Sequence, residues 1–225
     1  DDTRRQDRPP PGWFTVAAMS HDELLARHRA VLPSWLALYY DEPIELVEGQ
    51  GRHVIDGEGN RYLDFFGGIL TTMTGYDVPE VTAAVREQAG RMIHTSTLYL
   101  IRQQVELAEM IADLSGIADP RVFFTTSGTE ANEAALLVPS SVRRSSQIVA
   151  VRNSYHGRSF TTQAITSHAS WSSTSLSGLQ VTFVQGGYRL RSPFADLDDE
   201  TYTKACVNDL VQLLDMTSAG DVACL

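Results

Sequence analysis

Apolar and polar positions follow two different patterns along the chain. Between Ile44 and Phe66 they alternate around two glycine-containing turns. This alternation predicts a small antiparallel meander, because successive side chains of a strand point to opposite faces. From residue 121 onward, short apolar runs alternate with helical segments. That order predicts an α/β fold with a mainly parallel sheet and flanking helices.

The helices are predicted from caps and from apolar spacing. Ser20 and Glu23 form a capping-box pattern for a helix that runs to about Val31. Another helix is expected to begin with Pro79 in its first turn. Further predicted helices are 103–114, 129–138 and 196–216, and predicted strands are 121–125, 147–151 and 180–184. Pro139 is expected to kink or end its helix.

The chain is expected to have three parts. Residues 1–19 are charged and proline-rich with few apolar side chains, which predicts a flexible leader. Residues 20–75 are expected to form a small N-terminal segment with a helix and the meander, and residues 76–225 the first part of a larger α/β domain. Residues 221–225 have the pattern of a strand that is just beginning, so we expect a truncated large domain that belongs to a longer polypeptide.

Composition excludes several classes of function. The net charge of −10 and the lack of a basic stripe argue against a nucleic-acid partner. No apolar run is long enough to span a membrane, and no signal-peptide pattern is present. Composition favours the cytoplasm, with an organelle as the open alternative. Cys206 and Cys224 lack metal-binding spacing, and the histidines form no metal motif. No metal is therefore predicted.

One turn between a predicted strand and a predicted helix is suited to bind phosphate. Free backbone amides and the helix dipole favour an anion at such a turn. Here Gly128 permits a close approach of the backbone, while Ser127 and Thr129 add hydroxyl donors. A purely structural role is an equal alternative, in which Ser127 or Thr129 only caps the helix.

A second loop follows the next predicted strand. The carboxyl ends of neighbouring parallel strands face one crevice, so we expect Tyr155 and His156 beside the phosphate-binding turn. An aromatic ring at that place suits a flat cofactor. Taken alone, tyrosine and histidine in loops are more often packing or surface residues.

These segments together resemble a known family. The strings SGTEANEAA (127–135) and YHGR (155–158), preceded by YLDFFGGI (62–69), are similar to the N-terminal half of class III pyridoxal-phosphate aminotransferases. The resemblance runs from about residue 32 to residue 225 and implies the fold-type I architecture of these transferases. Residues 64–69 and 94–99 are similar to the alanine:glyoxylate aminotransferases of the mitochondrial type.

The resemblance implies pyridoxal 5′-phosphate as the cofactor and assigns residues to it. Phosphate contacts and ring contacts would come from Ser127, Gly128, Thr129, Tyr155 and His156. Within that set the amides of Gly128 and Thr129 would hold the phosphate, and Tyr155 would stack on the pyridine ring. Ile69 would line the substrate pocket near a dimer interface. The Schiff-base lysine and the acid at the pyridine nitrogen belong to the C-terminal half of the family fold, so they are expected beyond Leu225.

The only lysine of the chain is Lys204, and its acidic neighbours favour a solvated position on a helix. The resemblance therefore implies a homodimeric full-length enzyme that transfers an amino group from an amino acid or amine to a 2-oxo acid such as pyruvate or glyoxylate. This chain alone is expected to be inactive. Two alternatives stay open: a truncated, non-catalytic module that binds pyridoxal phosphate, and a related class III lyase or racemase.

Overall fold

The computed structural model describes residues 19–36 and 38–225, which divide into two compact units. The first unit ends at Ile101, and the second runs from Arg102 to Leu225. The leader expected at residues 1–19 lies outside the described residues except for its last position. The domain boundary expected after residue 75 falls inside the first unit.

The first unit contains two helices and the meander. In chain order its elements are α1 (His21–Val31), β1 (Leu46–Gln50), β2 (His53–Asp56), β3 (Arg61–Leu63) and α2 (Pro79–Arg91). The three strands form one antiparallel sheet in the order β1-β2-β3. Ser20 caps α1 by accepting a hydrogen bond from the Glu23 amide at 3.3 Å, and Pro79 stands in the first turn of α2. Both predicted helix starts are confirmed.

Asp56 fixes the turn between β2 and β3. Its buried carboxylate accepts hydrogen bonds from the Tyr62 hydroxyl at 2.7 Å and from the Asn60 amide at 2.8 Å. The Glu58 amide donates to the same carboxylate at 3.0 Å. The Tyr62 hydroxyl and these amide donors lower the pKa of Asp56 to about 2, because each of them stabilises the ionised form. A single carboxylate thus pairs with two backbone amides and one hydroxyl of this hairpin.

The second unit carries helices around a parallel strand pair. Its elements are α3 (Arg102–Ser115), α4 (Gly128–Arg143), β4 (Gln147–Val151), α5 (Phe160–Ile165), β5 (Gln180–Val184), a 3₁₀ turn (Arg189–Arg191) and α6 (Asp199–Thr217). β4 and β5 pair in parallel, as predicted. Side chains from α4, β4 and α5 form the core of this unit, namely Leu136, Ile148, Ala150 and Ile165.

The last residues of the chain lie along β4. Ile148 and Cys224 form a parallel bridge, and the Val149 amide donates to the Cys224 carbonyl at 3.0 Å. The Ala223 amide donates in turn to the Gln147 carbonyl at 2.8 Å. The apolar end of the sequence therefore takes a strand position next to β4, in agreement with its pattern.

Two expectations about the region before β4 are wrong. Residues 121–125 form no strand in the described structure, and Phe123 is 78% exposed. A strand needs a neighbour for its ladder, and no described strand pairs with this segment. A helix end at Pro139 is not observed either, because α4 continues to Arg143 before Arg144 closes it in a left-handed conformation. A kink at Pro139 stays a prediction.

Candidate functional site

The N-terminus of α4 is built by the predicted turn. Ser127 is the N-cap residue, with extended backbone, and its Oγ accepts a hydrogen bond from the Glu130 amide at 3.1 Å. The capping role considered for this residue is therefore real. It does not exclude a ligand contact, because a hydroxyl that accepts one hydrogen bond still has a proton to donate.

The next two amides are the ones suited to a phosphate. Within the described part of the chain, the amides of Gly128 and Thr129 have no hydrogen-bond acceptor. Space is open above them, because a Cβ added to Gly128 would meet no atom within 4 Å. Two unpaired donors at the positive end of a 16-residue helix fit a phosphate group by charge and by geometry.

The one carboxylate of this turn is held by Thr126. Glu130 Oε2 accepts hydrogen bonds from the Thr126 amide at 2.8 Å and from the Thr126 hydroxyl at 2.5 Å. These bonds, led by that from the hydroxyl, lower the pKa of Glu130. The ionised carboxylate of Glu130 is therefore held by Thr126, the residue before the cap.

The loop after β4 is fastened to the first turns of α4. Asn132 Nδ2 donates to the His156 carbonyl at 2.8 Å, and the Ser159 hydroxyl donates to Glu133 Oε1. Gly157, with φ of +134°, packs so closely against Thr129 that a Cβ there would overlap the Thr129 side chain. The structure therefore brings the two predicted segments, 127–129 and 155–156, into one site.

Tyr155 and His156 differ in their exposure within this loop. The Tyr155 ring is 46% exposed and meets the Trp171 ring edge-on, with centroids 5.7 Å apart. His156 is partly buried, and its Nε2 lies 3.1 Å from Ser154 Oγ. Burial lowers the pKa of His156, so its imidazole is neutral in neutral solution. The site thus offers an accessible aromatic ring and an uncharged imidazole beside free amide donors.

Ile69 belongs to the first unit and is held in a strained loop. Its φ is +57°, which is costly for a β-branched residue, and its side chain is 68% exposed. The loop is fixed by Asp64, whose carboxylate accepts bonds from the Gly67 amide at 3.0 Å and the Tyr76 hydroxyl at 2.7 Å. The role of Ile69 in a substrate pocket stays a prediction.

Three further expectations concern residues outside this site. Lys204 is exposed and pairs with Glu200 at 2.6 Å, which agrees with a solvated position on α6. Among the described residues, no cluster of His, Cys, Asp or Glu side chains could hold a metal ion. In the same part of the chain, every helix is too short or too polar to cross a membrane.

Four residues of this region were not found by sequence reasoning. Asn132 and Glu133 lie inside the SGTEANEAA string, so their place in a motif was visible but their contacts were not. Gln163 and Trp171 carry no sequence signal, because their contacts depend on a loop that folds back on itself.

Solved structures define the fold. The (S)-enantioselective omega-transaminase from Thermomicrobium roseum superposes with a TM-score of 0.78 at 27% identity, over 91% of this chain and 48% of that one. The taurine:2-oxoglutarate aminotransferase from Bifidobacterium kashiwanohense, solved in complex with PLP and glutamate, superposes with a TM-score of 0.77 at 22% identity over 91% and 47%. The fold is that of the fold-type I transaminases, which confirms the predicted α/β class.

Sequence comparison gives the family. The model of aminotransferase class-III matches residues 38–225. Acetylornithine aminotransferase from Methanothermobacter thermautotrophicus is 38% identical over 154 residues, covering 68% of this chain and 38% of that protein. Mitochondrial alanine--glyoxylate aminotransferase 2 from Pongo abelii is 35% identical over 162 residues, covering 71% and 32%. The chain belongs to the class III aminotransferases, and it spans roughly a third of the length of these curated relatives.

Proposed function

We propose that this chain supplies the phosphate-binding turn and the ring-covering tyrosine of a pyridoxal-phosphate-dependent aminotransferase. The observation that carries the proposal is the pair of unpaired amides at Gly128 and Thr129, joined to the Tyr155 loop through Asn132. Family membership and the PLP complex of a structural neighbour support the choice of cofactor. Ser127, at the cap, would add a hydroxyl to the phosphate contacts.

Each residue of the site has a role in this proposal. The amides of Gly128 and Thr129 bind the phosphate, and the exposed Tyr155 ring covers the pyridine ring. Neutral His156 adds no positive charge beside that ring. When bound, pyridoxal phosphate supplies an electron sink for bonds at the amino-bearing carbon of the substrate. The lysine and the carboxylate that complete this chemistry are proposed to lie outside residues 1–225, because Lys204 is ion-paired on α6.

The proposed reaction moves an amino group from an amino acid or amine to a 2-oxo acid such as pyruvate or glyoxylate. Relatives named for acetylornithine and relatives named for alanine and glyoxylate are both similar to this chain. The identity of the amino donor is therefore proposed to depend on the residues of the substrate pocket. Ile69 is proposed to contribute to that pocket in a homodimer. Two free cysteines support a reducing compartment such as the cytoplasm.

The proposal is tested on the protein isolated from its native source. Treatment with borohydride fixes bound pyridoxal phosphate to its lysine, and peptide mapping then locates the label. We expect one phosphopyridoxyl group per polypeptide, on a lysine outside residues 1–225, and an intact mass well above the 24.8 kDa of this chain. We also expect the 225-residue chain to show no transamination.

Three outcomes would each contradict a part of this proposal. A label on Lys204 would show that the cofactor lysine lies within these residues. A native mass of 24.8 kDa without any label would favour the truncated, non-catalytic module. A labelled protein that eliminates or racemises its substrate without amino transfer would favour the related lyase or racemase.

A further inference from the structure

We propose that Trp171 is a positioning residue that sets the orientation of the Tyr155 ring. The proposal rests on the proposed function, because it assigns a residue that acts on the cofactor only through Tyr155. It concerns the segment 166–173, which is part of a serine- and threonine-rich stretch (166–177) that looks like a surface loop in the sequence. In the structure this segment runs along the Tyr155 loop.

The aromatic contacts form a short chain of rings. The Trp171 ring meets the Tyr155 ring edge-on, at 78° and with centroids 5.7 Å apart. The His168 imidazole stacks on the Trp171 ring, with a centroid distance of 3.9 Å and an angle of 24° between the ring planes. The buried Nδ1 of His168 has no hydrogen-bond partner among the residues the structure describes, so the stack is the contact that orients this ring. Trp171 is therefore held while it contacts Tyr155.

The backbone is held as firmly as the rings. Gln163 is 5% exposed, and its Nε2 donates to the Gly157 carbonyl at 2.9 Å and to the Trp171 carbonyl at 3.3 Å. Its Oε1 accepts a hydrogen bond from the Ser173 amide at 2.9 Å. One buried side-chain amide thus connects the residue two positions after Tyr155 to Trp171, whose ring meets the Tyr155 ring edge-on.

Further hydrogen bonds join the segment 166–173 to the backbone of the Tyr155 loop. The Asn153 amide donates to the Ser167 carbonyl at 3.1 Å, and the Ser167 amide donates to the Ser154 carbonyl at 3.0 Å. The His156 amide donates to Thr166 Oγ1 at 3.1 Å. The segment 166–173 is therefore bound before, beside and after Tyr155.

This arrangement holds the backbone on both sides of Tyr155, so the freedom that remains is the rotation of its side chain about χ1 and χ2. An edge-to-face contact between aromatic rings is strong enough to favour one rotamer several-fold over the others. A ring that is already oriented loses less entropy when a flat ligand binds against it. Without Trp171, the same ligand should bind several-fold more weakly, although it does not touch Trp171.

The test is a double-mutant cycle of Tyr155 and Trp171 in which the affinity for a ligand is measured. The probe is pyridoxamine 5′-phosphate, whose affinity for the full-length protein that carries these residues and whose induced circular dichroism are measured together. We expect Trp171→Leu to weaken binding about 3- to 10-fold and to reduce the induced dichroism. Trp171→Phe, which keeps an aromatic edge for Tyr155, should bind within about twofold of the unchanged protein. In a Tyr155→Leu background, Trp171→Leu should have no further effect.

The controls distinguish an unfolded variant, a failure of the proposed function and a failure of the positioning role. Far-ultraviolet dichroism and urea unfolding of each variant show whether it is folded. Trp171→Met, which also lacks an aromatic ring, replaces Trp171→Leu if that variant is not folded. If the unchanged full-length protein does not bind the probe, the proposed function fails. If the protein binds and the two Trp171 variants are equal, or if Trp171→Leu weakens binding equally with and without Tyr155, the positioning role is refuted.

Discussion

Replacing Gly157 by alanine is expected to cost about 3 kcal/mol of unfolding free energy and to loosen the site. Two independent contributions to this destabilisation add, one from the backbone conformation and one from steric overlap. The backbone at Gly157 has φ of +134°, a conformation that L-residues rarely adopt. The new Cβ would also overlap the Thr129 side chain and lie 2.8 Å from Thr162 Oγ1. Thr162 is fully buried and hydrogen-bonded to the Ser159 amide, so it has no room to yield.

Gly187→Ala is the matched control for this substitution. Gly187 is exposed, and a Cβ added there would meet no atom within 4 Å. We expect its unfolding free energy to stay within about 1 kcal/mol of the unchanged chain, because it adds only the entropic effect of losing a glycine. Urea unfolding of both variants makes the comparison. Equal stabilities of Gly157→Ala and Gly187→Ala would show that the 155–157 loop is not packed on α4 as described.

Replacing Gly128 by proline is expected to weaken the binding of a phosphate-bearing ligand about 10- to 100-fold. Gly128 is the first residue of α4, a position where proline is well tolerated because its amide has no partner within the helix. Ser127 already has the extended backbone that a following proline requires. The substitution therefore removes one proposed phosphate donor and leaves the helix in place.

Gly128→Ala is the control, because it adds a side chain and keeps the amide. We expect its affinity for pyridoxamine 5′-phosphate to stay within about threefold of the unchanged chain, since the space above Gly128 is open. Titration calorimetry measures both variants, and urea unfolding confirms that they are folded. A loss of affinity that is equal in the two variants would assign the effect to the added side chain and contradict the phosphate role of the amide.

Local signals predicted most of the fold. The capping serine of α1, the proline in the first turn of α2 and the apolar runs of β4 and β5 act within a few residues, so the sequence alone sets them. The strand expected at 121–125 depends on a partner strand that no local signal supplies. α5 was missed because six residues are too few to show a helical period.

The candidate site also divides into features that local sequence predicts and features that it does not. Ser127 and Gly128 could be predicted, because a cap and a glycine between two elements are local features. The contacts that join the two loops could not, since Asn132 and His156 are 24 residues apart in the chain. Trp171 looked like part of a polar loop, and only the fold of segment 166–173 brings its ring to Tyr155.

The most direct test compares pyridoxamine 5′-phosphate with pyridoxamine, which lacks the phosphate, as ligands of the unchanged chain. Neither compound has an aldehyde, so neither can condense with Lys204, and any difference in affinity reports the phosphate alone. We predict that the phosphate form binds at least about tenfold more tightly, because the amides of Gly128 and Thr129 are unpaired donors at a helix N-terminus. Equal affinities would contradict a phosphate site at this turn.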